Sequence, residues 1–137
     1  MGAPKIMIID DEQIVGNMAK MHLVKEGFDV ETFLSAAPAL ERLKQEPFDV
    51  VVTDLKMKGI DGMEVLRTVK RLHPGIQVIM ITAFAHLDTS IEAFRGDVFD
   101  FFPKPFKIKD FIASINRALD CRAQNCGESG QPKPAGA

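Results

Sequence analysis

Residues 50–54 read VVVTD, three valines and a threonine running without a break into the carboxylate of Asp54. A run of β-branched residues with no polar alternation fits a strand covered on both faces, and such strands belong to parallel sheets whose crossover helices hide both sides. Two more runs share this character, Lys5 to Ile9 (KIMII) and Val78 to Ile81 (VIMI). Three buried parallel strands are therefore expected. Asp29 to Phe33 (DVETF) alternates as an edge strand does, and Phe99 to Phe102 (FDFF) is a fifth candidate that ends at Pro103.

Apolar residues recur at helical spacing after each strand: Ile14, Met18 and Met21; Leu40 and Leu43; Val65, Val69 and Leu72; Leu87, Ile91 and Phe94; Phe111, Ile115 and Leu119. Helix punctuation agrees. Gly27 closes the first helix, Asp61 and Gly62 open the third, His73-Pro74-Gly75 ends it, and Gly96 follows the fourth. Strand then helix, five times over, is the order of a doubly wound α/β domain.

The composition bounds what such a domain can do. With 137 residues, 46% hydrophobic and 26% charged, at a formal charge of −2, the chain suits one domain with a real core. No basic excess points to direct nucleic-acid contact. The apolar runs are strand-sized, well short of the ~20 residues of a membrane span, and MGAPKIMIIDDE reaches acidic residues too early for a secretory signal. The expectation is a cytoplasmic protein without membrane contact. Residues 1–120 are expected to form the domain; residues 121–137 carry Gly, Pro, Ser and Ala without apolar periodicity and read as a disordered tail or linker. Cys121 and Cys126, with no partner His or further Cys, are expected to be free surface thiols.

The carboxyl ends of parallel strands share one edge, where ligands bind as the strand order reverses. Strand one ends in Asp10-Asp11-Glu12, strand three in Asp54, strand four in Thr82, and strand five is followed by Lys104-Pro105. Any one of these could merely cap a buried strand at the solvent boundary. Together they bring carboxylates, a hydroxyl and an ammonium to one place. Clustered carboxylates repel unless a cation neutralises them. Asp10, Asp11 and Asp54 offer only oxygen ligands, which suits Mg²⁺ or, as a substitute, Mn²⁺. Such a site accepts a phosphate oxygen, and a carboxylate can itself be the nucleophile of phosphoryl transfer, giving an aspartyl phosphate.

IMIIDDE, VVTDLKMKGIDGMEVL, VIMITAF and DFFPKPF, in this order and spacing, resemble the receiver domain of two-component response regulators over about residues 4–120. The ITAF and DFFPKPF blocks resemble the nitrogen-regulation type. The resemblance implies a flavodoxin-like sheet of order 2-1-3-4-5 with five helices, Asp54 as phosphoacceptor, and Mg²⁺ on Asp10, Asp11, Asp54 and the backbone carbonyl of Lys56. It further implies Thr82 as switch hydroxyl, Phe101 as switch aromatic, and Lys104 as phosphate-binding lysine. The implied partners are a sensor histidine kinase or phosphotransfer protein, and an effector domain or dimer partner on the face of the fourth helix, fifth strand and fifth helix. The family often places Pro where this chain has Lys58, which leaves the chemistry intact and alters the loop after Asp54.

Lys56 and Phe84, two residues after Asp54 and Thr82, flank the approach of a hydrolytic water, and neither can orient one. Both are expected to prolong the phosphorylated state. Two other classes remain open: a small Mg²⁺-dependent phosphatase, which would want its nucleophile in a DxDx[TV] pattern after strand one, and a receiver-like interaction domain that no longer takes phosphate. His22, His73 and His86 are expected to be solvated helix residues, and most of the phenylalanines from 94 to 111 to be core.

Overall fold

The computed structural model describes residues 3–57, 59–83 and 98–123. In chain order the elements are β1 (Lys5–Ile9), α1 (Gln13–Lys25), β2 (Asp29–Phe33), α2 (Ala36–Gln45), β3 (Val50–Asp54), α3 (Gly62–Leu72), β4 (Gln77–Thr82), β5 (Asp100–Pro103) and α4 (Ile108–Ala123). The strands form one parallel sheet in the order β2-β1-β3-β4-β5. Four helices lie among the described residues, and α4 is the helix expected as the fifth. The segment with Leu87, Ile91 and Phe94 lies outside the described residues, as do Lys58, Phe84 and His86.

The strand alternation sorts the core onto two faces. Met7, Ile9, Val51, Val78 and Met80 pack with Leu40 and Leu43 of α2 and Val65 and Val69 of α3. Ile6, Ile8, Val50, Val52, Ile79 and Ile81 pack with Ala19 and Leu23 of α1 and Phe111 and Ile115 of α4. All five residues of β3 and all six of β4 are buried, so the missing polar alternation of VVVT and VIMI has its cause in two covering helix layers. Edge strands β2 and β5 are only partly buried.

The face of α1 corrects one expectation. Ile14, Met18 and Met21 do not line the core: Ile14 is 82% and Met21 52% exposed. The buried face is Gly16, Ala19 and Leu23. Gly16 lies over Thr32 of β2, where an added Cβ would come to 3.8 Å. Small residues let the backbone of α1 lie close to the sheet, and the larger apolar side chains face outward. The helix ends as anticipated at Gly27: with φ +96° it sends its N–H to the Val24 carbonyl, while Phe28 N–H reaches Leu23, the paired bonds of a Schellman motif.

At the other end of the chain, α4 runs to Ala123. Cys121 on it is 5% exposed, accepts a contact from Gln77 Nε2 at 3.7 Å and is disulfide-bonded, which corrects the expectation of a free surface thiol. Cys126 lies outside the described residues. Asp100 ties α4 to β5 by accepting from Ser114 Oγ at 2.6 Å and Arg117 Nη2 at 3.0 Å.

The turn between β3 and α3 is tight. Asp61 caps α3 by accepting from the N–H groups of Met63 and Glu64. Gly62 donates to Leu55 O at 2.9 Å, and a Cβ there would stand 2.6 Å from Asp54 O and 2.8 Å from Leu55 Cα. Backbone cannot yield as a side chain can. Gly62→Ala, although a better helix residue by ~1 kcal/mol, is expected to destabilise the protein by about 2 kcal/mol net; urea unfolding measures it, and an unchanged midpoint would contradict this packing.

Candidate functional site

The sheet order brings four chemically distinct side chains to one edge. Asp10 directly follows β1, and its N–H donates to Phe33 O at 3.0 Å, extending the β1–β2 ladder by one residue. Asp54 is the last residue of β3, opposite Ile81 of β4. Thr82 ends β4 and is fully buried. Lys104 follows β5, its N–H donating to Thr82 O at 2.7 Å. Because β1 and β3 are neighbours while α1 and α2 cover opposite faces, Asp10 and Asp54 sit at the point where the winding reverses.

Lys104 is the centre of the cluster. Its ammonium lies 2.9 Å from Asp54 Oδ2, 2.9 Å from Asp10 Oδ2 and 2.7 Å from Glu12 Oε1. The second Asp54 oxygen accepts from Lys56 N–H at 3.2 Å, and the second Asp10 oxygen from Glu12 N–H at 2.9 Å. Asp10 Oδ2 is buried and, despite its proximity to the ammonium, has no aligned hydrogen bond.

Burial governs the electrostatics. Asp54 is 4% exposed, and desolvation pushes its pKa up; the Lys104 ammonium opposes that rise, the Asp10 charge adds to it, and the result is about 6. Burial by itself would lower the pKa of Lys104. Its bonds to Glu12, Asp54 and Asp10 outweigh that cost and hold the ammonium above the ordinary lysine value. The site thus concentrates three carboxyl groups around one cation.

Asp10, Glu12 and Asp54 can each place one carboxylate oxygen within 4.8 Å of the others. An all-oxygen set whose buried Asp10 Oδ2 has an ion-pair contact but no aligned hydrogen bond fits a hard divalent cation such as Mg²⁺. Asp11 is exposed beside this group and is not one of the three. The Lys56 side chain is exposed as well, and Phe101 is partly buried against the α2–α3 side of the core. Glu12 was read from sequence only as part of the acidic end of strand one. Its arm meets a lysine 92 residues away, which no local spacing reveals.

An open groove of about 480 Å³ adjoins Lys104, with Ile14, Val15 and Met18 of α1 on one side and Pro105 and Phe106 on the other. The outward apolar face of α1 therefore borders the site. No helix among the described residues is long and apolar enough to cross a membrane.

Comparison with known proteins accords with this geometry. The model of the response regulator receiver domain matches residues 6–116. The DNA-binding transcriptional regulator NtrC of Escherichia coli (strain K12) is 33% identical over 114 residues, 83% of this chain and 24% of NtrC. The chain spans about a quarter of the length of the curated relatives it matches. A crystal structure of a response regulator receiver domain protein from Clostridium thermocellum superimposes with a TM-score of 0.82 at 32% identity, covering 89% of this chain and 98% of that one. The solution structure of the beryllofluoride-activated NtrC4 receiver domain dimer gives 0.80 at 27% identity, over 86% and 98%. The acidic edge, Lys104 and all of the sheet but Lys5 fall inside the matched span, and the chain belongs to the response regulator receiver domain family, with NtrC-like regulators among its relatives.

Proposed function

We propose that Asp54 is the phosphoacceptor, taking a phosphoryl group from the phosphohistidine of a sensor kinase or phosphotransfer protein. The observation that carries this reading is the buried Asp54 carboxylate held at 2.9 Å by Lys104 beside a second buried carboxylate, Asp10. An Asp54 oxygen attacks phosphorus, the O–P bond forms as the donor P–N bond breaks, and the imidazole leaves with that bond's electron pair and takes up a proton from solvent. Lys104 would meet negative charge on the phosphoryl oxygens, a role supported by its 2.9 Å contact with Asp54, since such a transfer requires positioning and charge stabilisation above all. Asp10, Asp11, Asp54 and the Lys56 carbonyl would hold Mg²⁺ or Mn²⁺, whose charge neutralises both the carboxylates and the phosphoryl group. Lys56 and Phe84 are assigned to controlling how long the product lasts.

The output is a population shift. Thr82, drawn toward the phosphoryl group, vacates space that Phe101 of β5 fills, and this alters the face made by β5 and α4. An effector domain or a second receiver reads that face; one relative was solved as a beryllofluoride-activated dimer. A cytoplasmic setting follows from this role.

Three outcomes are expected. Incubation with a small phosphodonor and Mg²⁺ should add roughly 80 Da, the mass of a phosphoryl group, and the addition should vanish with Asp54→Asn or excess chelator; mass spectrometry of the intact protein reads it. Beryllofluoride with Mg²⁺ should shift amide resonances of β5 around Phe101, and a bound anion that leaves them unmoved would refute the coupling.

The third concerns pH. Asp54 has a folded pKa of about 6 against an ordinary 3.8, so the folded state binds its proton more tightly than the unfolded chain. Its contribution to stability is complete below about pH 4 and is lost as pH rises through about 6. In Mg²⁺-free buffer, Asp54→Asn removes this loss and should exceed the wild type by about 2–3 kcal/mol at pH 7.5. The gap, read from urea midpoints, should close toward pH 4. A gap independent of pH would contradict the burial effect.

A further inference from the structure

The geometry points to Glu12 as a positioning residue, a solvent-side carboxylate that keeps the Lys104 ammonium at the mouth of the site and yields it to an arriving phosphoryl group. This rests on the reading of Asp54 as phosphoacceptor.

Four observations carry it. Glu12 makes the shortest of the three contacts to Lys104, 2.7 Å against 2.9 Å for Asp10 and Asp54. Its side chain is 60% exposed, whereas those of Asp10 and Asp54 are 0% and 6%. It occupies the N-cap position of α1 without a side-chain capping bond. Ser, Asp or Asn would serve the helix better there by ~1 kcal/mol, so the local choice is explained by the distant lysine rather than by the helix. Finally, the one Lys104 ammonium faces three carboxyl groups at once, so these four side chains carry more acidic groups than the lysine can neutralise.

Charge then dictates a sequence of contacts. With Asp10 and Asp54 engaged by a divalent cation, Lys104 would lose two of its three partners. The backbone of Lys104 is held by its N–H bond to Thr82 O at 2.7 Å, so the ammonium moves by side-chain rotation alone. Glu12 is the remaining contact, and its exposure gives it freedom to swing. A phosphoryl group on Asp54 brings oxygens that compete with Glu12 for the same ammonium. Glu12 therefore favours cation entry by drawing Lys104 aside, and opposes anion retention by holding it. One residue should act on the two ligands with opposite sign, which a merely structural role would not do.

The test uses the full chain with Mg²⁺ alone, then with beryllofluoride at saturating Mg²⁺, for wild type, Glu12→Gln and Glu12→Asp. The chain has no Trp, so amide and lysine ammonium resonances serve as the readout. For Glu12→Gln, Mg²⁺ should bind about two- to five-fold more weakly and beryllofluoride more tightly by a similar factor, the scale of a partly exposed ion pair. The Lys104 ammonium resonance should move even without ligand. Glu12→Asp keeps the charge and shortens the arm, so its beryllofluoride affinity should rise as for Gln while Mg²⁺ affinity falls less. Wild-type behaviour of Glu12→Asp would show through-space repulsion in place of a contact and overturn the proposal, as would both ligands shifting in the same direction or an unmoved Lys104 resonance in Glu12→Gln. Failure of the wild type itself to bind Mg²⁺ and beryllofluoride would instead sink the reading of Asp54. A urea midpoint close to wild type for Glu12→Gln, whose side chain like that of Glu12 caps nothing, and one at or above wild type for Glu12→Asp, which can cap α1, should confirm that both variants fold.

Discussion

One ammonium set against three carboxylates is the interaction on which this molecule's chemistry turns. Placing Asp10 and Asp54 at 1% and 4% exposure strips both of water, and Lys104 is the cation that sits 2.9 Å from each. Such an arrangement is a poor way to stabilise a fold, because desolvation offsets much of the Coulombic gain. Its raised Asp54 pKa is the visible residue of that imbalance. The site is held ready for positive charge and for a group that brings negative oxygens with it.

The rest of the structure serves to keep those atoms in place. The parallel ladder fixes the relative heights of Asp54 and Thr82, and the Lys104 N–H bond to Thr82 O fixes the loop that follows β5. Gly62 lets α3 begin against the backbone of Asp54 and Leu55, so the loop between them is drawn tight over the sheet edge. Behind these lie two apolar layers, each built from alternate residues of the same strands. Burial of each such side chain contributes about 1.5–3 kcal/mol, a scale that outweighs the cost of keeping two carboxylates out of water.

The outward apolar face of α1 follows the same logic from the other side. Gly16 and Ala19 bring the helix close to the sheet, which displaces Ile14 and Met21 toward solvent beside the groove at Lys104.

The sequence by itself determined the architecture and most of the acidic edge. Uninterrupted apolar runs mark strands buried on both faces, helical periodicity marks what covers them, and residues at the strand ends must then share one edge, so Asp10, Asp54, Thr82 and Lys104 could be named from order and spacing alone. Those signals are local. Tertiary structure decided what depends on distance along the chain: which face of α1 is buried, because small residues at Gly16 and Ala19 outcompete larger ones for contact with the sheet; that Cys121 is packed against Gln77; and that Glu12, not the adjacent Asp11, meets Lys104. An apolar residue carries no label saying which side of a helix will face the core, and a glutamate none saying which lysine 92 residues away will meet it. Only the packed sheet and helices bring those partners within reach.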